Sequence, residues 1–167
     1  MIRTGIGFDI HRFAPGRKLI LGGVEIPAPQ GLEGHSDADV LCHALADALL
    51  GSVADGDIGQ HFPNTDPKWK DADSVELLRQ VVLRVKARGF HVVNVDAVIT
   101  AETPKVMPFA TRMRERLAPV LGVTTDDVSI KATTMERLGT IGRAEGIAVM
   151  AVATVEKNSE FRIQNPE

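Results

Sequence analysis

The sequence contains few of the residues that mark several large classes of protein. Cys42 is the only cysteine among 167 residues, which excludes an internal disulfide framework and a zinc site built from several cysteines. No apolar run reaches the roughly 18 residues that cross a bilayer, and the start "MIRTGIGFD" lacks the apolar core of a signal peptide. The net charge is −3 without a basic block, so we expect no nucleic-acid or membrane partner. These absences favour a cytoplasmic protein, although a processed organellar protein would share them.

Length and patterning predict one domain over residues 1–157 and a polar tail over residues 158–167. Apolar alternation predicts strands at residues 2–13, 19–27, 91–101, 127–133 and 147–156, with a bend or bulge at Gly22 and Gly23. Apolar stripes at helical spacing predict a helix at 36–54 capped by Ser36, a second opened by Asp73 and a third at 106–121. This order, after an opening hairpin, indicates an α/β or α+β sandwich with helices on one face of a mixed sheet.

The stretch "GFDIHRF", residues 7–13, combines a strand pattern with two chemically active side chains. Because side chains alternate along a strand, Asp9 and His11 share one face and the apolar Ile10 lies on the other. His43 lies beside the apolar stripe of the first helix, where it is either an ordinary core histidine or a third ligand. One aspartate and two histidines are a ligand set for zinc that leaves a fourth position open. Asp47, one turn after His43, could orient its imidazole.

Several other segments could bind phosphate. His35 and Ser36 precede the predicted first helix, and unpaired N–H groups at a helix start attract anions. Thr133 and Thr134 end a predicted strand, and Arg143 follows a Gly-x-x-Gly in "GTIGRAEG". Each segment has an ordinary structural explanation as a cap, a turn or a loop. Together they indicate a metal beside several phosphate-binding edges.

The ordered motifs "GFDIHRF", "GLEGHSDADVLCHALADALLG", "GDIGQHFPNTDP", "NVDAVI", "VSIKATT" and "GRAEGIA" resemble the 2-C-methyl-D-erythritol 2,4-cyclodiphosphate synthase family over residues 2–156. This resemblance implies a bacterial phosphorus–oxygen lyase of the non-mevalonate isoprenoid pathway. Its substrate would be 4-diphosphocytidyl-2-C-methyl-D-erythritol 2-phosphate, and its products the cyclic diphosphate and CMP. The implied fold is a ferredoxin-like mixed sheet in a homotrimer, with active sites between subunits and an axial cavity for an isoprenoid diphosphate.

The resemblance also implies residue roles. Asp9, His11 and His43 would bind Zn²⁺, Glu136 would hold Mg²⁺ or Mn²⁺ on the diphosphate, and His35 and Thr134 would stabilise the transition state. Substrate contacts would come from two groups. The first group would comprise Asp9, Ile10, His11, His35 and Ser36, together with the methylerythritol phosphate side, which is Asp57, Ile58, Gly59, Phe62, Pro63, Asn64, Thr65 and Asp66. The cytidine side and the remaining contacts would comprise Ala101, Glu102, Thr103, Pro104, Lys105, Val106, Met107, Thr133, Thr134, Met135, Glu136, Thr140 and Arg143.

Two positions depart from the family pattern, which often has an aromatic residue at Thr140 and an aspartate at Asn64. Two other functions remain open at this stage. A zinc phosphoesterase would use a metal-bound hydroxide and release a monoester or inorganic phosphate. A non-enzymatic trimer would bind isoprenoid diphosphates at its axis, near Arg143.

Overall fold

The computed structural model describes residues 1–159, so most of the predicted tail of residues 158–167 lies outside the described part of the chain. Seven strands occur in this part. They are β1 (Ile2–Ala14), β2 (Leu19–Leu21), β3 (Val24–Ile26), β4 (Gly31–Leu32), β5 (Phe90–Thr100), β6 (Val128–Thr133) and β7 (Gly146–Lys157). Five of them form one sheet in the order β4-β1-β7-β5-β6. The last strand, β7, therefore lies at the centre of this sheet.

The three predicted long helices are present, together with two helices of four residues each. They are α1 (Val40–Ser52), α2 (Ile58–His61), α3 (Ser74–Ala87), α4 (Ala110–Leu121) and α5 (Gly139–Gly142). Asp73 caps α3 as predicted, because its side chain accepts a hydrogen bond from the Val75 N–H. Across residues 1–159, no helix has both the length and the apolar character needed to cross a membrane.

The sheet is mixed, as predicted, but its connections are not ferredoxin-like. β1 and β5 both run antiparallel to β7, whereas β5 and β6 are parallel neighbours. Parallel strands need a crossover, which α4 supplies. A ferredoxin-like chain runs β-α-β-β-α-β, whereas the main elements here run β-α-β-α-β-β. The ferredoxin-like prediction is therefore wrong, and the broader α+β prediction is confirmed.

The predicted strand at residues 19–27 is instead a separate hairpin of β2 and β3. Gly22 and Gly23 form its two-residue turn, with φ of 57° and 69°. Two successive positive φ angles define a type I′ turn, which glycine enters without steric cost and which joins twisted strands tightly. The glycine pair thus reverses the chain rather than bending one strand, and β1 pairs with β4 and β7 instead of forming the expected opening hairpin.

Helix α1 begins at Val40, four residues later than predicted, because Asp39 and not Ser36 is its N-cap. The fully buried Asp39 carboxylate accepts hydrogen bonds from the N–H groups of Leu41 and Cys42. It also accepts hydrogen bonds from the N–H groups of Gly22 and Gly23 in the hairpin turn. One carboxylate therefore fixes both the start of α1 and the position of the β2–β3 hairpin.

Helix α1 packs on β1 at very short distance, because two glycines face it. A Cβ atom on Gly7 would lie 1.9 Å from the Ala44 carbonyl oxygen and 2.7 Å from the Ala48 nitrogen. A Cβ atom on Gly5 would lie 2.0 Å from the Ala48 carbonyl oxygen. Only glycine permits this approach of two backbones. Asp9 follows on the same face of β1, so it points towards the first turn of α1.

The opposite face of the sheet is apolar, and its central side chains are exposed within residues 1–159. The described side chains there include Ile6, Phe8 and Ile10 on β1 and Met150 and Val152 on β7, all 40–65% exposed. Phe8 pairs with Met150 and Ile6 with Val152, so these side chains form one continuous patch. We call it the open sheet face. An exposed apolar patch of this kind marks an interaction surface.

We predict that Gly7→Ala lowers the free energy of unfolding by about 3 kcal/mol, the upper end of the usual cost of overpacking a core. The added methyl group meets backbone atoms of α1, which cannot rotate away as a side chain can. Urea unfolding at one fixed protein concentration measures the change, because association would also alter the midpoint. Gly51→Ala on α1 is the control, since its nearest neighbour would be 3.8 Å away. Equal midpoints for the two variants would contradict the proposed role of the close approach.

Candidate metal centre and substrate pocket

Asp9, His11 and His43 converge on one point between β1 and α1. Asp9 Oδ2 lies 2.9 Å from His11 Nε2 and 3.0 Å from His43 Nδ1, and these two nitrogens are 3.2 Å apart. All three side chains are partly buried. The predicted alternation along β1 therefore brings two of the candidate ligands together, and the first turn of α1 adds the third.

Each histidine also makes hydrogen bonds outside this triangle, and for His11 they fix which ring nitrogen carries the lone pair. His11 Nδ1 lies 2.5 Å from the carbonyl oxygen of Glu33, which can only accept, so Nδ1 carries the proton. His43 Nε2 lies 3.0 Å from Ser74 Oγ and 3.1 Å from Ser36 Oγ. When His11 is neutral, its Nε2 lone pair faces the Asp9 carboxylate, so a proton or a metal ion between them stabilises the group.

The three donor atoms suit a divalent metal. Ligands about 2.0–2.2 Å from a tetrahedral zinc lie about 3.3–3.5 Å from one another. The three separations need to open by only a few tenths of an ångström to match. Two imidazoles and one carboxylate form a donor set that zinc accepts, with a further position open to substrate.

The electrostatics of the group also favour a cation. Burial alone would raise the pKa of Asp9, but the hydrogen bonds and charges of His11 and His43 outweigh it and hold that pKa far below its usual range. Burial would lower the pKa of His11, but the hydrogen bond and charge of Asp9 raise it above the ordinary value. The carboxylate is therefore anionic at neutral pH and stabilises positive charge beside it.

A pocket of about 420 Å³ opens directly over this group. Its wall contains His35 and Ser36 from the segment before α1, and residues from α2 and the loop that follows it. Among the predicted substrate residues, its lining includes Asp9, His11, His35, Ser36, Ile58, Gly59, Phe62, Pro63 and Asn64. Most of the predicted methylerythritol phosphate side thus shares one pocket with the candidate metal ligands.

Four residues of the first predicted substrate group are not among the residues that line the pocket. Asp57 and Asp66 act as N-caps, accepting hydrogen bonds from the N–H groups of Gln60 and Lys68. Thr65 is exposed in the same loop. The side chain of Ile10 lies on the open sheet face, and only its N–H reaches the site, where it donates to Asp9 Oδ1 at 2.8 Å.

The predicted cytidine side forms a second cluster. Glu102 holds it together, because its Oε1 accepts hydrogen bonds from the N–H groups of Met135 (2.9 Å) and Arg137 (3.1 Å). Thr134 Oγ1 donates to Glu136 Oε1 at 2.8 Å. Residues 131–140 are all exposed. Among residues 1–159, the lining of the metal pocket includes none from 101–107 or 133–136, so one chain does not bring the two predicted sides together.

The remaining predicted positions lie on a third part of the surface. Thr140 borders a small cavity of about 180 Å³ with Ile10 and Gly146. The Arg143 side chain is exposed and donates to Glu145 Oε1 at 2.6 Å. The predicted axial isoprenoid site near Arg143 stays a prediction.

Some pocket residues were missed from the sequence. Trp69 packs edge-on against Phe62, with ring centroids 4.9 Å apart, and both side chains line the pocket. The only tryptophan of the chain, placed in a polar loop, was a usable sign of this role. The suggestion that Asp47 orients His43 is wrong: Asp47 Oδ1 accepts from the Ile58 N–H at 2.7 Å, and Ser36 and Ser74 contact the imidazole instead.

Comparison with known proteins assigns the chain to a family. It is 56% identical over 156 residues to a 2-C-methyl-D-erythritol 2,4-cyclodiphosphate synthase from Chlorobium phaeovibrioides, covering 93% of this chain and 99% of the relative. A synthase structure in a CDP-bound form has a TM-score of 0.85 at 36% identity, over 92% of this chain and all of that one. The bifunctional IspDF of Campylobacter jejuni has a TM-score of 0.91 at 44% identity, over 94% of this chain and 42% of that longer one. The model of the YgbB family matches residues 2–156, and the chain therefore belongs to the YgbB family.

Proposed function

We propose that this chain is a cyclodiphosphate synthase of the non-mevalonate isoprenoid pathway. It converts 4-diphosphocytidyl-2-C-methyl-D-erythritol 2-phosphate into 2-C-methyl-D-erythritol 2,4-cyclodiphosphate and CMP. The observation that carries this proposal is the Asp9, His11 and His43 group at the base of a pocket, in a chain 56% identical to a named synthase. We propose further that residues 1–157 form the catalytic domain and act in the cytoplasm.

The reaction needs positioning more than it needs a base. The 2-phosphate oxygen that attacks the β-phosphorus is already anionic, and the bond to CMP breaks as the new P–O bond forms. The main barrier is the approach of two negatively charged groups within one substrate. Holding such groups in reacting geometry contributes about 7–11 kcal/mol. The pocket wall formed by Ile58, Gly59 and Phe62 is suited to folding the substrate back on itself.

We propose that Asp9, His11 and His43 hold Zn²⁺ and that Glu136 holds Mg²⁺ or Mn²⁺. When bound, these ions polarise phosphoryl oxygens and neutralise charge. His35, in the pocket wall, donates from its imidazole to the phosphoryl group as negative charge grows there. Thr134 donates its hydroxyl proton to the same group, in place of its present bond to Glu136. The chain thus supplies donors from two separate segments.

We propose that the active form is a homotrimer with each active site between two subunits. Two observations support this arrangement. The open sheet face leaves Phe8 and Met150 about half exposed, although both lie on central strands of the sheet. The cytidine cluster, including Thr134 and Glu136, is exposed and lies outside the metal pocket of the same chain. A neighbouring subunit that covers the open sheet face would bring its own cytidine cluster to this pocket.

The first test is the reaction itself. Purified protein with zinc and magnesium, incubated with the diphosphocytidyl substrate, is expected to give CMP and a cyclic diphosphate, as followed by phosphorus NMR. Inorganic phosphate as the product would favour a phosphoesterase with a metal-bound hydroxide. Bound metal with no turnover at all would contradict the catalytic proposal.

A second test addresses the metal ligands. Asp9→Asn and His43→Ala are each expected to lose bound zinc and activity together, because each removes one of three protein ligands. Metal content is measured by atomic absorption on protein purified without chelator. His91→Ala is the control, since this exposed histidine contacts Asn158 and Glu156 instead. Zinc retained at full stoichiometry in Asp9→Asn or His43→Ala would overturn the assignment.

A third test asks whether the two sides of the site come from different subunits. Asp9→Asn damages the metal side, and Glu136→Gln damages the cytidine side. When the two inactive variants are unfolded together and refolded, random mixing leaves about a quarter of the intersubunit sites intact. We expect activity near that level, compared with either variant refolded alone. If the mixture stays inactive although mixed trimers are detected by native mass spectrometry, each site lies within one chain.

A further inference from the structure

Two side chains outside the pocket connect to His43 through its outer nitrogen. Ser74, the first residue of α3, is 1% exposed, and its Oγ lies 3.0 Å from His43 Nε2. Asp37, in the segment before α1, accepts the Ser74 hydroxyl proton at Oδ1. Neither Asp37 nor Ser74 lines the metal pocket as described for residues 1–159. They reach the site through His43 and through Ser36, whose Oγ lies 3.3 Å from Ser74 Oγ.

The donor and the acceptor in each hydrogen bond between Asp37, Ser74 and His43 follow from what each group is able to donate. A carboxylate only accepts hydrogen bonds, so the single hydroxyl proton of Ser74 goes to Asp37. Ser74 Oγ can then only accept, and His43 Nε2 at 3.0 Å is a nearer donor to it than Ser36 Oγ at 3.3 Å. A neutral imidazole carries one N–H, so Nδ1 of His43 keeps its lone pair. That nitrogen is the one that lies 3.0 Å from Asp9 Oδ2 and 3.2 Å from His11 Nε2.

Hydrogen bonds with the backbone hold Asp37 and Ser74 in place. Asp37 Oδ1 accepts from the Asp39 N–H and Oδ2 from the Ser74 N–H, both at 3.2 Å. The Asp37 N–H donates in turn to the Ala72 carbonyl oxygen at 3.1 Å. The start of α3 is therefore attached to the segment before α1. The Asp37 carboxylate makes this attachment by accepting hydrogen bonds from both the N–H and the hydroxyl of Ser74.

We propose that Asp37 and Ser74 are positioning residues that fix His43 with Nε2 protonated and Nδ1 directed at the metal. The proposal deepens the zinc site described above and rests on it. Partners in the outer shell of a metal site typically change metal affinity or activity by about 10–100-fold when removed. Ser36 also contacts His43 Nε2, at 3.1 Å. Because Ser36 lines the pocket, a substitution there would also change the pocket wall.

The test compares zinc affinity in the full-length protein by competition with a chromophoric chelator. Ser74→Ala and Asp37→Asn are each expected to weaken zinc binding by about 10-fold or more. Ser52→Ala is the matched control, a buried serine on α1 whose hydroxyl donates to the Leu49 carbonyl oxygen, away from His43. It is expected to bind zinc as the wild type does. Affinities of Ser74→Ala and Asp37→Asn within twofold of this control would overturn the proposal.

A second measurement separates positioning from a general loss of structure. Nitrogen-15 NMR of the histidine side chains in the zinc-loaded protein reports which ring nitrogen carries the proton. We expect Nε2 of His43 to be protonated in the wild type, and a mixture of ring states in Asp37→Asn. If Ser74→Ala does not fold, Asp37→Asn decides alone, because it keeps the size of the side chain. An unchanged His43 spectrum in Asp37→Asn would overturn the proposal.

These outcomes remain distinct from those of the proposed function. A wild type that binds zinc and forms the cyclic product, with normal affinity in the variants, would remove only the role of Asp37 and Ser74. A wild type that binds no zinc would overturn the metal site and this inference together.

Discussion

The architecture of the site depends on the close contact between β1 and α1. Gly5 and Gly7 leave no room for a Cβ atom, so the two backbones pack against each other directly. His43 in the first turn of α1 then reaches Asp9 and His11, which follow the glycines on the same face of β1. Side chains at these two positions would push α1 away from β1, and the imidazole with it. Because Gly5 and Gly7 have no side chains, the side chains of Asp9, His11 and His43 can lie close together.

A second constraint fixes where α1 begins. The buried Asp39 carboxylate accepts four backbone hydrogen bonds, two from α1 and two from the β2–β3 turn. Burial of a charged group is costly unless it is fully paired, and here the pairing is supplied by backbone N–H groups. This anchor sets the axial position of α1, while the glycines set its distance from the sheet. Together they determine the axial position of His43 and its distance from β1.

Much of this could be predicted from the sequence, because it rests on local periodicity. Alternation placed Asp9 and His11 on one face of β1, and helical spacing identified three helices. Contacts between residues far apart in the sequence could not be predicted in the same way. Ser36 and Asp39 are both good caps, and only the glycine turn folded against Asp39 decides between them. In the sequence, Ser74 is only the residue that follows the Asp73 cap. Its hydrogen bond with His43 joins residues 31 positions apart, and local periodicity gives no sign of it.

The separation of the predicted site into two clusters would link the proposed catalysis to the proposed assembly. The metal side lies among packed elements, where fixed backbones keep the ligand atoms within about half an ångström of working geometry. Part of the predicted cytidine side lies on the exposed segment of residues 131–140, where Glu102 accepts a hydrogen bond from the Met135 N–H. In the proposed trimer, a neighbouring subunit covers the open sheet face and brings its own cytidine side to the metal side. Apolar burial would then contribute twice, to the stability of the trimer and to the completion of each active site, so an isolated subunit would bind metal without being able to catalyse the reaction.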